Sequence, residues 1–397
     1  MHPLILATLA GTVVTLLASA VLRGKAYAGF VGVLLTIHTL VVVGLADEAV
    51  ALMPVFVWLQ TALFVHLLML VWARLRPWWY RAFVSIPAHY FMAATFLAIP
   101  WAVASAVGLP PYGWWLPFVA AGLGVVQSLR SSIEVVDLVL DGESLPELQR
   151  TTVRRRSVRR HTTTGEPLRL VQITDPHLGP FMSEERLRGI CQRAVDADPH
   201  LVLLTGDFFT MEGRGSAGSL ARALAPLQAL QGRTFACFGN HDLEAPQAVR
   251  DGLSAVGVKL LVDEVADAET PLGSVQIVGL NHVWSGRSEH FAEVFARVPS
   301  SGDRLRLVLL HDPGGFKHLP VGQADLVLSG HTHGGHVGLL SLGLNWTSIG
   351  AIARMPDHGF WGRNTDRLYV HRANGHYGFP LRVGVPSEES VLHVHRG

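Results

Sequence analysis

Residues 168–179, LRLVQITDPHLG, place a short apolar run directly before two side chains that can bind a metal ion. The run from Leu168 to Thr174 is rich in aliphatic residues, which predicts a buried strand. Asp175 and His177 follow where that strand ends, and because one residue separates them, an extended backbone lets both face the same way. A lone pattern of this kind is common in loops, so it predicts a metal site only if other segments supply further ligands.

Four further apolar runs end on polar side chains in the same way. In open α/β sheets the ligand crevice lies beyond the carboxyl ends of the strands, so these runs should deliver their polar groups to one edge of one sheet. Each cluster alone is weak, but five in succession are not explained by coincidence. Asp207 follows LVLLTG; Asn240, His241 and Asp242 follow FACFG; His311 follows LRLVLL; and His331 and His333 follow DLVLSG.

This set consists of carboxylate, imidazole and amide groups and contains no thiolate. Such ligands suit divalent ions such as manganese, iron or zinc. The candidates are too many for one ion and about enough for two. A carboxylate can bridge two ions, and Asp207 is the central candidate for that role.

The same part of the chain alternates strands with helices. Ser183 can cap a helix with an acidic first turn, and apolar residues from Leu187 to Val195 then recur at helical spacing. That spacing places Cys191 in the core, and Cys237 lies within a predicted strand. Two such cysteines cannot build a disulfide framework or a cysteine-rich zinc site. The alternation predicts a layered α/β domain, with strand-like pieces after about Trp346 completing a sheet.

The first 130 residues have a different composition. They contain eight of the chain's 63 charged residues (32 basic and 31 acidic) and seven of its ten tryptophans. Runs of about 20 apolar residues can cross the hydrocarbon core of a membrane as helices. Buried core helices are the alternative, but four long uncharged runs make it a poor one. We expect about five spans: Leu4–Leu22, Ala28–Ala46, Ala51–Ala73, Ile86–Gly108 and a shorter one at Trp114–Leu129.

Basic residues alternate between the loops that join these runs. The first and third loops are basic, the second is acidic and the fourth is uncharged. Under the positive-inside rule, five crossings place the following domain in the cytoplasm, and the prediction depends on the fifth run spanning the membrane. The basic run RRRSVRR, Arg154 to Arg160, predicts a juxtamembrane linker that could also contact anionic lipid headgroups.

A few polar side chains fall inside the apolar runs. His38, Gln60, His66 and His89 could mark a functional site at membrane depth. Neutral histidine in an apolar helix more often packs or makes interhelical hydrogen bonds, and we favour that interpretation. Because acidic residues do not recur along the helices, a transporter finds little support.

Taken together, ITDPHLG, LLTGDFF, FGNHD, LLHDP and SGHTHGG resemble the five sequence blocks of the calcineurin-like metallophosphoesterases. The resemblance covers about Leu168 to the C-terminus. It is closest to a membrane-associated bacterial branch, which is similar to hydrolases acting on UDP-diacylglucosamine. It implies an α/β metallophosphoesterase domain, a β-sandwich flanked by helices, following the transmembrane helical domain. We therefore expect a helical domain at 1–130, a basic linker with a possible edge strand at 131–165, and the metallophosphoesterase domain at 166–397.

The resemblance also implies a role for each site residue. One ion would be held by Asp175, His177 and His333, and the other by Asn240, His311 and His331, with Asp207 bridging. His241 would stand near the phosphoryl group as an acid or charge stabiliser, and Asp242 would orient it. Two positions depart from the family pattern without removing a ligand: Pro176 stands where leucine is common, and His336 where glutamine is usual. His336 could contact substrate or merely line the mouth of the site.

These features predict a membrane-anchored hydrolase that uses two divalent ions, with manganese favoured and zinc or iron as alternatives, to cleave a phosphoester or pyrophosphate bond. Five membrane helices favour a lipid-linked or membrane-proximal substrate at a bacterial inner membrane; the alternative is a soluble nucleotide, with the helices serving only as an anchor. Residues 339–346, LLSLGLNW, could be ordinary core or a lip that receives an acyl chain. With a net charge of +1 and no visible basic groove, the chain gives no reason to expect nucleic acid as a partner.

Overall fold

Seven α-helices lie in the part of the N-terminal region that the structure describes. The computed structural model describes residues 2–48, 50–151, 154–156, 166–379 and 381–396. It divides the chain into a helical unit, Met1–Leu129 with Tyr377–Val383, and a second unit, Arg130–His376 with Gly384–Gly397. The helices of the first unit are α1 Pro3–Leu22, α2 Lys25–Leu45, α3 Met53–Met69, α4 Trp78–Tyr80, α5 Ile86–Leu97, α6 Ile99–Ala106 and α7 Leu116–Leu129.

Three helical stretches of this unit are long and apolar enough to cross a membrane: Pro3–Leu22, Lys25–Leu45 and Val50–Met69. The fourth predicted run is not one straight helix, because Trp78–Leu97 and Ile99–Ala106 meet at a bend of 51°. Pro100 explains the bend, since it lacks an N–H and its ring would clash with the carbonyl four residues earlier. The fifth run forms a helix of only 14 residues, Leu116–Leu129. The described residues thus hold three candidate spans, or four if the bent pair counts as one, and the cytoplasmic orientation stays a prediction.

The polar side chains of this unit contact one another between helices. His38 Nε2 lies 3.0 Å from Gln60 Oε1, and His38 Nδ1 lies 3.3 Å from Thr95 Oγ1. The rings of His66 and His89 are 4.5 Å apart. These contacts join α2, α3 and α5, as expected for polar groups that pair across helices in an apolar medium.

The second unit is built on two seven-stranded sheets. The first sheet has the order β3-β1-β14-β4-β5-β6-β7 and the second β2-β12-β13-β11-β10-β9-β8. The strands are β1 Ser131–Leu140, β2 Leu145–Arg150, β3 Arg154–Arg156, β4 Leu168–Ile173, β5 Leu201–Leu204, β6 Thr234–Ala236, β7 Lys259–Leu260, β8 Glu264–Thr270, β9 Gly273–Gly279, β10 Leu305–Leu309, β11 Leu326–Ser329, β12 Gly359–Asn364, β13 Asp366–Val370 and β14 Ser387–Arg396.

The two sheets pack face to face over one apolar core, because side chains such as Leu203 of β5 and Leu307 of β10 point into the space between them. The helices of this unit are α8 Glu184–Asp196, α9 Ser219–Leu224, α10 Pro246–Ser254, α11 Arg287–Arg297 and α12 Ser348–Ile352. The predicted helix after Ser183 is confirmed, since the Arg186 N–H donates to Ser183 Oγ. Cys191 and Cys237 are both buried. The molecule is therefore an apolar helical part followed by a mixed-sheet metallophosphoesterase-like sandwich, as expected.

The structure refines one expectation about this unit and corrects another. Residues 131–165 contribute β1, β2 and β3: β2 and β3 are edge strands, whereas β1 lies inside its sheet and pairs along its whole length with β14. Arg159 and Arg160, part of the predicted basic run, lie outside the described residues. The expectation of one sheet edge is wrong: β4, β5 and β6 belong to the first sheet, whereas β10 and β11 belong to the second. Sequence periodicity does not report which sheet a buried strand joins.

Truncating a side chain between the sheets should destabilise the second unit. Leu307→Ala should lower the free energy of unfolding by about 2–5 kcal/mol, because it removes a fully buried side chain and leaves a cavity. Urea titration of the purified protein measures this change. The control is Leu342→Ala, which truncates an exposed leucine. Equal losses in the two variants would contradict the packing described here.

Candidate metal centre and active site

The five predicted strand ends meet at one edge of the sandwich. Strands β4, β5 and β6 run parallel in the first sheet, and β10 and β11 run parallel in the second, so the loops after them emerge together. The backbone in these loops is unusual, because six non-glycine residues there have positive φ: Asp175 (48°), His177 (47°), Asp207 (59°), His331 (68°), His333 (50°) and His336 (59°). Such conformations cost free energy and cluster at functional sites.

One group of ligand atoms comes from Asp175, His177 and His333, whose candidate atoms lie within 4.8 Å of one another. Asp175 Oδ1 is 3.8 Å from His177 Nε2 and 3.5 Å from His333 Nε2. The Asp175 carboxylate is fixed by the His331 backbone N–H, which lies 3.0 and 3.1 Å from its two oxygens. All three side chains are buried.

A second group comes from Asp207, His311 and His331, again within 4.8 Å of one another. His311 Nε2 lies 3.2 Å from His331 Nδ1 and 3.1 Å from Asn240 Oδ1. On its other side, His311 Nδ1 lies 2.7 Å from the Thr205 carbonyl oxygen, to which it can donate. That hydrogen bond leaves Nε2 as the acceptor nitrogen, which is the arrangement typical of a metal-binding histidine.

Asp207 lies between the two groups. Its Oδ2 is 3.3 Å from His311 Nε2 in the second group and 3.6 Å from His177 Nε2 in the first. Its other oxygen accepts the His241 backbone N–H at 2.8 Å. A carboxylate with one oxygen held by the backbone and the other between two ligand sets has the geometry that a bridging ligand needs.

The electrostatics of the cluster favour positive charge at its centre. Burial alone would lower the pKa of His311, but the carboxylates of Asp207 and Asp175 raise it to about 10. Burial opposes ionisation of Asp207, yet His311 and His177 hold the pKa of that carboxyl well below its usual range. Burial also lowers the pKa of His177 to about 3, which keeps it neutral and able to act as a ligand. The donor set and the charge both fit divalent cations.

Asp242 supports the loops instead of the His241 ring. Its carboxylate accepts backbone N–H groups from Asp207 at 2.7 Å, Phe208 at 2.8 Å and Gly239 at 2.8 Å. Burial, followed by repulsion from Asp207, raises the pKa of Asp242 to about 7. His241 Nδ1 instead lies 3.3 Å from Glu244 Oε1. The resemblance implies that Asp242 orients His241. Its contacts instead tie the loops after β5 and β6 together.

His336 and two further strand ends also border the site. The rings of His333 and His336 stack at 5.1 Å, which places His336 at the edge of the first group. Asn374, after β13, accepts the Thr174 backbone N–H at 2.7 Å and so fixes the end of β4. His282, after β9, is buried with its ring 6.3 Å from that of His311. Sequence reasoning missed Asn374 and His282, although both follow apolar strands in the same pattern as the five that it used.

Comparison with known proteins shows which family part of the chain resembles. Residues 168–335 match the model of the calcineurin-like phosphoesterase family. The chain is 28% identical over 219 residues to "Phosphodiesterase YaeI" of Escherichia coli, which covers 52% of this chain and 78% of the relative. It is 26% identical over 286 residues to a "Transmembrane protein with metallophosphoesterase domain" of Danio rerio, covering 68% of this chain and 59% of the relative. A solved sulfate thiohydrolase, SoxB of Thermus thermophilus, aligns at 14% identity and a TM-score of 0.30, covering 62% of this chain and 52% of that one.

Residues 168–335 therefore carry a calcineurin-like phosphoesterase domain. That family consists of metal-dependent phosphoester hydrolases, and the two groups of ligand atoms agree with it. The apolar helices, together with the transmembrane relative, indicate a membrane protein.

A methyl group at Gly330 should disturb the first group of ligands without removing any of them. A Cβ atom there would lie 2.1 Å from Asp175 Oδ2 and 2.2 Å from Thr174 Oγ1, so the Asp175 carboxylate must move. We expect Gly330→Ala to weaken metal binding by about 10–100-fold, as for loss of a group that supports a ligand. Metal titration of the stripped protein measures this. Gly189→Ala is the control, because its nearest neighbour is the flexible Arg193 side chain at 3.3 Å; comparable losses in both would contradict the geometric argument.

Proposed function

We propose that this protein is a membrane-anchored phosphoesterase that uses two divalent metal ions to hydrolyse a phosphoester or pyrophosphate bond. The observation that carries the proposal is the position of Asp207 between two sets of ligand atoms. Asp175, His177 and His333 would hold one ion, Asn240, His311 and His331 the other, and Asp207 would bridge them. We favour manganese, with zinc or iron as alternatives.

The bound ions would supply Lewis acidity and a nucleophile at neutral pH. The chain's own groups do the rest of the work. Buried carboxylates and the imidazoles around them fix the charge distribution in advance, so little reorganisation is needed when a phosphate ester arrives. His241 is partly exposed beside the His177 ring, at 5.6 Å between ring centres, and is placed to donate a proton to the leaving oxygen. Glu244, beside its Nδ1, would orient that ring. Asp242 is a positioning residue, and His336 would contact the substrate.

The substrate, in this proposal, is a lipid-linked or membrane-proximal phosphate. The apolar helices of the first unit keep the chain at a bilayer, where such substrates reside. Residues 339–346 also support it: Leu342 is 74% exposed and Leu344 55% exposed, so this stretch is not ordinary core. We further propose that the metallophosphoesterase domain faces the cytoplasm, on the basis of the basic loops. In this proposal the helical domain comprises 1–130 and the metallophosphoesterase domain 166–397. The strands of 131–165 pair with strands of the metallophosphoesterase domain.

Replacing the bridging carboxylate tests the assignment. Asp207→Asn should reduce metal-dependent phosphate release by roughly 100-fold or more. Loss of a group that only supports a ligand already costs up to about 100-fold, and Asp207 is proposed as a ligand itself. The protein should remain folded, because the amide keeps the shape of the side chain. Phosphate release from a panel of lipid and nucleotide esters, with manganese, zinc or iron added to the chelator-treated protein, is the measurement.

The matched control is Asp303→Asn, which makes the same chemical change at an exposed aspartate. It should release phosphate at the wild-type rate. If Asp207→Asn retained full turnover, or if the chelated wild-type protein needed no added metal, the two-metal proposal would be wrong.

The substrate class requires a separate comparison. Long-chain and water-soluble phosphate esters with the same reacting group should differ in kcat/KM, with the long-chain ester preferred by about tenfold or more, because burial of a few methylene groups contributes about 0.8 kcal/mol each. The assay uses full-length protein reconstituted in lipid. Equal efficiency on both esters would instead favour a soluble nucleotide as substrate, with the helices acting only as an anchor.

A further inference from the structure

One stretch beside the candidate centre has no charged residue. Residues 337–353, VGLLSLGLNWTSIGAIA, contain no Asp, Glu, Lys or Arg, and they are called the apolar loop below. Within it Leu342 is 74%, Leu344 55% and Ile352 84% exposed, and Trp346 is exposed as well. A contiguous set of large apolar side chains facing solvent marks an interaction site.

The backbone of the apolar loop is hydrogen-bonded within itself. Leu339 and Trp346 are joined by an N–H to O bond of 2.9 Å, and the Leu344 N–H donates back to the Leu339 carbonyl at 3.2 Å. The Gly343 N–H donates to the Leu340 carbonyl at 2.9 Å, in a tight turn that Gly343 allows with its φ of 78°. The N–H groups of Leu342, Gly343 and Leu344 are thus satisfied within the loop, which lowers the cost of moving this turn out of water.

The base of the apolar loop is polar and fixed. Thr347 is buried, and its hydroxyl donates to the Asp357 carboxylate, which forms an ion pair of 2.7 Å with Arg150. Ser348 Oγ donates to the Gly335 carbonyl at 2.8 Å, next to His336 of the site. The loop is therefore a rigid projection with an apolar tip, attached to the segment that carries His331 and His333.

From these observations we propose that the apolar loop inserts its tip, Leu342 to Trp346 together with Ile352, into the interfacial region of a lipid bilayer. The lack of charge over 17 residues matches a hydrocarbon surface, and tryptophan with leucine is the composition of interfacial segments. The bilayer is the occupant because the chain's own apolar helices hold it at one. A second copy of this chain, or another protein, is the competing occupant that the test separates.

The two native cysteines make a site-specific test possible. Cys191 and Cys237 are buried, and burial raises the pKa of both thiols, so a new surface cysteine can be labelled selectively. Full-length Leu342→Cys, labelled with the fluorophore NBD, is placed in nanodiscs of phosphatidylcholine with or without bromine on the acyl chains. Ile352→Cys provides a second probe, and Glu269→Cys, at an exposed position on β8, is the control.

Insertion predicts a blue-shifted emission at positions 342 and 352 that brominated lipid quenches, and an unshifted, unquenched emission at position 269. An unshifted emission at the loop would overturn the proposal. So would a blue shift without quenching, because it would show that protein rather than lipid covers the tip.

The consequence for substrate delivery rests on the proposed function. Leu342→Asp should lower the ratio of long-chain to water-soluble ester turnover by about tenfold, since it replaces apolar contact with a charge. If wild-type protein hydrolyses neither ester, the proposed function fails while the quenching result stands. If hydrolysis is normal but quenching is absent, only the inference about the apolar loop fails.

Discussion

The arrangement of this catalytic unit depends on two carboxylates that are buried together. Asp175 and Asp207 are 0% and 2% exposed, and histidine rings of both ligand groups lie against them. Burying like charges side by side is strongly unfavourable unless positive charge compensates them. The negative potential of the two carboxylates raises the pKa of His311. A divalent cation in the same place would offset the repulsion between the carboxylates more fully than a proton on His311 does. The positive-φ conformations in the loops hold the ligand side chains together around this buried charge. The backbone contacts of the Asp242 carboxylate help to keep the loops in place.

Much of this site could be predicted from sequence, because each ligand candidate follows a buried strand and parallel strands place their ends together. The helix after Ser183 was predictable for a similar reason, since its capping residue and its apolar spacing agree. The assignment of strands to two sheets could not be derived in this way, because a fully buried strand shows no alternation that distinguishes one sheet from another. The resemblance to a known family supplied the sandwich that local pattern alone did not.

The parts that could not be predicted depend on long-range contacts. The partner of the Asp242 carboxylate is the backbone of a loop 34 and 35 residues away, and no sequence pattern encodes an N–H donor. The strands of residues 131–165 find partners at the far end of the chain, where β1 pairs with β14 and β2 with β12, so local pattern predicts only a basic linker with a possible edge strand. Apolar length alone does not report the break that a proline imposes. It predicts one span at Ile86–Gly108, whereas the structure bends at Pro100 within that run.

Placing the chemistry on a bilayer would also explain why the exposed apolar loop adjoins the HTHGG segment. A soluble protein that exposed Leu342, Leu344 and Ile352 together would risk aggregation, so such a surface persists where another apolar phase covers it. The loop is short and hydrogen-bonded at both its tip and its base, so contact with lipid would require little ordering. Because Ser348 Oγ donates to the Gly335 carbonyl and His336 stacks on His333, the proposed lipid contact and the metal ligands belong to one connected stretch of the chain.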